Sequence, residues 1–149
     1  MSTTPEEVPV FTVRRHLAAA PERVFEAFVD PARLEHWFVV DGFRTPAERI
    51  RGIPEPGGTV DAVMISDADG SEIPFGFRYA ELDRPDRVVL EFDEPAEVVT
   101  ITLEAAGEDA TELTYSLVAK EAPSDPDTAR RGAEDMLGRI AAGIDQGLI

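Results

Sequence analysis

Between residues 72 and 93 apolar and polar positions alternate with a period of two. Phe75, Phe77 and Tyr79 interleave with Pro74, Gly76 and Arg78, and Val88, Leu90 and Phe92 interleave with Glu91 and Asp93. Period two sends one set to each side of a pleated strand, so the sheet has one buried and one wet face. The segments 43–51, 58–65, 72–82, 86–93, 97–106 and 111–119 read as six strands. A seventh precedes them at 10–17, where VFTVRRHL is rich in strand-forming residues. The separators IPEPGG, DADG, RPD, EPA and GEDA are made of tight-turn residues. Short connections of that kind imply antiparallel pairing.

Three segments change period. Ala20-Pro21-Glu22 opens a short helix whose apolar face is Val24, Phe25, Ala27 and Phe28. Asp30-Pro31 stops it and starts a second, with Asp30 as N-cap and Leu34, Trp37 and Phe38 three and four apart. His36 lies off that face and is expected to point to solvent. After Asp125-Pro126, the residues Ala129, Ala133, Met136, Leu137, Ile140, Ile144 and Leu148 form one stripe of a long helix. About two dozen residues would span roughly 35 Å, enough to cross a small sheet. Gly132, Gly143 and Gly147 fall on or beside the stripe and Gly138 points away. Small residues facing the sheet leave room for close packing or for a cavity.

Composition narrows the function classes. The chain has 149 residues, 43% of them hydrophobic, which is enough for a core. The expected organisation is a flexible tail at 1–9 and one domain at 10–149. No run approaches twenty apolar residues, MSTTPEEVPV lacks the features of a signal peptide, and there is no cysteine, so a cytoplasmic protein without disulfides is expected. The formal charge of −16 disfavours nucleic acid and anionic membranes, both of which are bound through Lys and Arg.

The candidates for chemistry are few. A histidine is the commonest general base, but His36 is off the apolar face of its helix and His16 is expected opposite Phe11 and Val13, so both are expected to face solvent. Asp67, Asp69 and Gly70 begin like a calcium loop, but the closing Glu is absent at the expected offset, and a hairpin turn is the simpler reading. There is no serine elbow and no phosphate cradle, since Gly57-Gly58 stand alone before a strand. No catalytic residue, metal ligand or cofactor is therefore assigned.

The element order, together with several motifs, resembles the helix-grip (START-like, Bet v 1-like) fold of the SRPBCC superfamily. APERVFEAFVDPARLEHWF (20–38), EPGGTVDAVM (55–64), FGFRYAELDRPDRVVLEF (75–92) and ATELTYSL (110–117) are similar to motifs of its activator-of-Hsp90-ATPase-like branch. The resemblance implies an α+β fold: a curved antiparallel sheet of about seven strands wrapped around a long C-terminal helix, with two short helices after the first strand. It also implies a cavity between sheet and helix, lined by Phe28, Trp37, Phe75, Phe77, Tyr79, Phe92, Tyr115, Ala133, Met136 and Ile140. Tyr79, Tyr115, Arg78, Glu91 and Thr102 are candidate polar groups, depending on strand register. Similar proteins carry Gly-Trp in the last helix where this chain reads Gly132-Ala133, a change that enlarges the cavity or lets Met136 collapse into it. The implied function is binding of a small hydrophobic or aromatic molecule. A cyclase or aromatase on the same scaffold and a chaperone-activator-like protein-interaction module are the alternatives, and a homodimer is compatible with the open sheet edges.

Overall fold

The computed structural model describes residues 8–39, 42–92, 96–120 and 125–149. Residues 1–7 of the expected tail, and Asp93 of the expected strand 86–93, lie outside the described residues. The chain forms β1 (Val8–Leu17), α1 (Pro21–Glu26), α2 (Pro31–Trp37), β2 (Phe43–Arg44), β3 (Arg51–Gly52), β4 (Thr59–Ser66), β5 (Glu72–Asp83), β6 (Arg87–Phe92), β7 (Glu97–Ala105), β8 (Thr111–Ala119) and α3 (Pro126–Asp145). One antiparallel sheet holds eight strands in the order β1-β8-β7-β6-β5-β4-β2, with β3 also paired to β4. Val8 and Pro9 open β1 opposite Ala119 and Val118 instead of belonging to a tail.

The eighth strand arises because 43–51 is not one continuous strand. Pro46 has no N–H to give to a ladder, and the Ala47 N–H donates to the Glu35 carboxylate of α2 at 2.9 Å. A 3₁₀ turn at Ala47–Arg49 therefore separates β2 from β3. In β5 the register shifts between Tyr79 and Glu81. The extra residue, Ala80, brings Leu82, opposite Val88, to the same face as Phe75, Phe77 and Tyr79.

The two short helices are held by their caps and by one indole. Asp30 accepts the Ala32 N–H at 3.0 Å, as its N-cap position requires. The Trp37 Nε1–H donates to the Ala27 carbonyl at 2.6 Å, tying the end of α1 to the end of α2. Val24, Phe25, Ala27, Phe28, Leu34 and Trp37 are all buried.

Helix α3 has 20 residues, so it is about 30 Å long and shorter than the stripe suggested. Asp125 caps it, accepting from the Thr128 N–H at 3.2 Å and hydroxyl at 2.6 Å. The buried side is Ala133, Leu137, Ile140, Gly143 and Ile144, packed toward β1 and α2. Leu148 does not continue the stripe: it is 48% exposed, while Ile149 is only 3% exposed. Gly147, at φ 77°, reverses the chain in a Schellman motif, with Leu148 N–H on the Gly143 carbonyl at 2.8 Å and Gly147 N–H on Ile144 at 3.1 Å. That turn lays Ile149 over Gly143, and Arg23 Nε donates to the Ile149 main-chain oxygen at 2.7 Å. Of the small residues on α3, Gly143 is filled by close packing; Gly132 is exposed, with open space where a Cβ would lie.

Candidate functional site

Strand alternation and the α2 face build one continuous aromatic cluster. Phe28 meets Trp37 with ring centres 5.0 Å apart, Trp37 meets Phe38 at 5.3 Å, and Phe38 meets Phe75 at 4.9 Å and Phe77 at 5.4 Å. Phe77 then contacts Tyr79 at 5.1 Å and Phe92 at 5.8 Å. Edge-to-face geometry dominates, as ring quadrupoles favour. The structure thus brings Phe28, Trp37, Phe75, Phe77, Tyr79 and Phe92 together. Tyr115 stands apart, stacked on Phe11 at 6.0 Å. Ala133 and Ile140 are buried on α3 and Met136 is half-buried against the same core. Phe38 is the hub of the cluster and was not among the expected lining residues, although its spacing from Leu34 already placed it on the apolar face.

Register sorts the polar candidates. Arg78 and Glu91 sit opposite one another on the outer face and form an ion pair there. Thr102 is also outward, in register with Arg87 and Thr114. Arg78, Glu91 and Thr102 are therefore not cavity groups, because each alternates with an inward neighbour. Tyr79 and Tyr115 do face inward. The fully buried Tyr79 hydroxyl donates to the Phe28 carbonyl at 2.6 Å, so it is committed to the fold. The Tyr115 hydroxyl has no hydrogen-bond partner among the described residues.

A further inward polar group is Glu97. It shares a face with Val99, Ile101 and Leu103, opposite Phe92 on β6 and Ala119 on β8. Among the described residues it makes no hydrogen bond or ion pair. Burial raises its pKa above the ordinary carboxylate value. Burial first, and then the Glu97 charge, push the Tyr115 phenol upward, so Tyr115 stays a neutral donor and acceptor at neutral pH. Alternation along EVVTITL would have found Glu97.

The other candidates have local roles. His16 Nδ1 lies 3.4 Å from Glu112 on the exposed outer face. His36 is half-buried on α2, less open to solvent than expected. Asp69 closes the β4–β5 hairpin, accepting from the Ser71 N–H at 2.9 Å and hydroxyl at 2.7 Å, and these bonds lower its pKa. A narrow apolar hollow of about 70 Å³ lies between Leu34, Ile50, Val60 and Tyr79. A wider one of about 170 Å³ opens where β6, β7 and β8 end, lined by the inward Phe92, Glu97 and Ala119, the outward Glu91, Val98 and Val118, and Ala96 and Lys120 at the strand ends.

This architecture has close counterparts. It is similar to protein CV1439 from Chromobacterium violaceum, with 26% identity over 93% of this chain and 96% of that one and a TM-score of 0.70. Protein NE0264 from Nitrosomonas europaea is 16% identical over 99% of each chain, with a TM-score of 0.76. The AHSA1-like protein from Aeromonas hydrophila is 16% identical over 93% of this chain and 96% of its own, with a TM-score of 0.73. No curated protein matches the sequence. Residues 18–145 match the family described as Activator of Hsp90 ATPase homolog 1-like protein, and a match over most of the chain, on the helix-grip fold that family shares, means that the chain belongs to it.

Proposed function

We propose that residues 10–149 act as one ligand-binding domain that holds a small hydrophobic or aromatic molecule between the inner face of the sheet and α3. The observation that carries this reading is the composition of that face. It is an aromatic surface on which Phe38, Phe75, Phe92 and Met136 keep part of their area uncovered, with two polar groups, Glu97 and the Tyr115 hydroxyl, that the described fold does not use. Small-molecule sites are mostly apolar with a few placed polar groups, and burial-shifted titratable residues cluster in them. Phe28, Trp37, Phe77, Tyr79, Ala133 and Ile140 form the packed wall behind these residues. Trp37 acts as an anchor, since its N–H is already engaged with Ala27.

Native mass spectrometry with thermal-shift screening of aromatic and acyl compounds tests the reading. A ligand at one hundred times its Kd stabilises the folded state by about 2.7 kcal/mol, a readily measured shift. Stabilisation by none of the compounds would count decisively against it. Proton chemistry on the same scaffold is a second reading, favoured by the proximity of the Glu97 charge to the Tyr115 phenol. Tyr115→Phe separates the two: binding persists in both, whereas turnover of a bound polyketide-like chain is lost only in the second.

A further inference from the structure

We infer that the molecule held at this site is an apolar or aromatic amine in its protonated form, recognised by the Glu97 carboxylate. The inference rests on the ligand-binding reading and narrows the class of ligand.

Glu97 is set apart by its place on the inner face, since exposed carboxylates such as Glu104 also have no ion pair among the described residues. Glu26, Asp30, Glu72, Glu81 and Glu91 each have an arginine within ion-pairing distance: Arg84, Arg33, Arg49, Arg87 and Arg78 respectively. All of these pairs lie on solvated surfaces. Glu97 is on the inner face, between the Phe92 ring and the Ala119 methyl, with no counter-ion among the described residues. Lys120, which follows Ala119, is exposed and borders the same hollow, but it is not within ion-pairing distance of Glu97. Glu97 is half-buried, and a carboxylate that faces apolar side chains without a counter-ion gains more from a bound cation than a fully solvated one does.

A second observation points to the same place. Tyr115 is only 8% exposed and its hydroxyl has no partner among the described residues. It lies two inward positions along β8 from Ala119, the residue opposite Glu97. Glu97 offers a carboxylate to the ammonium group, and the Tyr115 hydroxyl, further along the same face, is a hydrogen-bonding group for the body of a ligand that reaches it. The Phe92 ring beside Glu97 adds a cation–π surface. The chain's formal charge of −16 attracts cations and repels carboxylate ligands such as fatty acids. The hollow of about 170 Å³ at the strand ends, which Glu97 and Phe92 share with the outward Glu91, Val98 and Val118, has room for a head group, and Phe92 links it to the aromatic cluster.

The test uses three probes that share one body: naphthylethylamine, naphthylethanol and naphthylacetate, titrated calorimetrically into the full chain. The amine is expected to bind at least about tenfold tighter than the alcohol, and the acetate weakest of the three. Glu97→Gln should weaken the amine by about tenfold and leave the alcohol within about twofold. Glu104→Gln removes the same charge from an exposed position of β7 and should leave the amine within about twofold. Thermal melts establish that both variants fold. Equal binding of amine and alcohol, or equal losses in the two variants, overturns the inference while the binding reading stands. Failure of all three probes and of ethylnaphthalene overturns both.

Discussion

Glu97 and Phe92 face each other across the β6–β7 ladder on the buried side of the sheet, a carboxylate set against an aromatic ring with no ion-pairing partner among the described residues. The arrangement has a thermodynamic signature. Because burial raises its pKa in the fold, Glu97 binds its proton more tightly folded than unfolded. Its contribution is therefore fully favourable below the unfolded carboxylate pKa and is lost as pH rises through the folded one. Glu97→Gln should raise the melting temperature at pH 7, and the gain should vanish as pH falls below the ordinary glutamate range. Melting curves of both proteins from acid to neutral pH check this. Tyr115, whose phenol pKa burial raises, keeps its proton throughout that window.

The two inward tyrosines should separate cleanly. Tyr79→Phe removes the donor to the Phe28 carbonyl and is expected to cost about 1–3 kcal/mol in denaturant unfolding. Tyr115→Phe removes a hydroxyl that has no partner among the described residues. It should change stability by less than about 0.5 kcal/mol, as substitutions that break no contact usually do, while weakening any ligand that hydrogen-bonds there.

On α3 the glycines should divide by position. A Cβ on Gly143 would stand 2.6 Å from Ile149 Cδ1, so Gly143→Ala must displace that side chain. Loss of Ile149 burial, about 1.5–3 kcal/mol, outweighs the helix-propensity gain of about 1 kcal/mol. Gly138→Ala and Gly132→Ala meet nothing within 4 Å and should each stabilise by up to about 1 kcal/mol. Chemical denaturation of the three variants decides the matter. A Gly143→Ala, Ile149→Ala double variant should show strong coupling between the two sites.

Ala133→Trp places an indole on the buried side of α3. If α3 covers a ligand space, the indole occupies it: the variant folds, and the affinity of naphthyl probes falls by about tenfold or more. A variant that folds and binds the probes unchanged would place their site elsewhere.

The sheet was legible from sequence because period two survives wherever strands are long and turns are marked by Gly, Pro and Asp. It failed at 43–51, where Pro46 and a side chain from another element, Glu35, took the backbone out of the ladder. It failed again at Leu148, where one left-handed glycine exchanged the expected apolar residue for the next. The aromatic cluster was legible in type, since Phe75, Phe77, Tyr79 and Phe92 share a face by spacing alone. Which polar groups join them depended on register, which only the pairing of Arg78 with Glu91 and of Phe92 with Glu97 settles. Glu97 was overlooked because a charged residue at a strand's first position reads as a solvated end.

Binding on the inner face is tested most directly by methyl-resolved NMR of the chain titrated with naphthylethylamine. Thr100 and Thr114 lie on the outer face of the β7–β8 pair, away from the hollow at the strand ends, and Val99 and Leu117 are partners on the inner face. Successive residues of a strand point to opposite faces, so Val99 and its neighbour Thr100 differ in face alone. The expected result is that the Val99, Leu117 and Met136 methyls shift and show contacts to the probe while the Thr100 and Thr114 methyls stay in place. A probe that binds but moves the Thr100 and Thr114 methyls, leaving Val99, Leu117 and Met136 unchanged, would contradict a ligand held between sheet and helix.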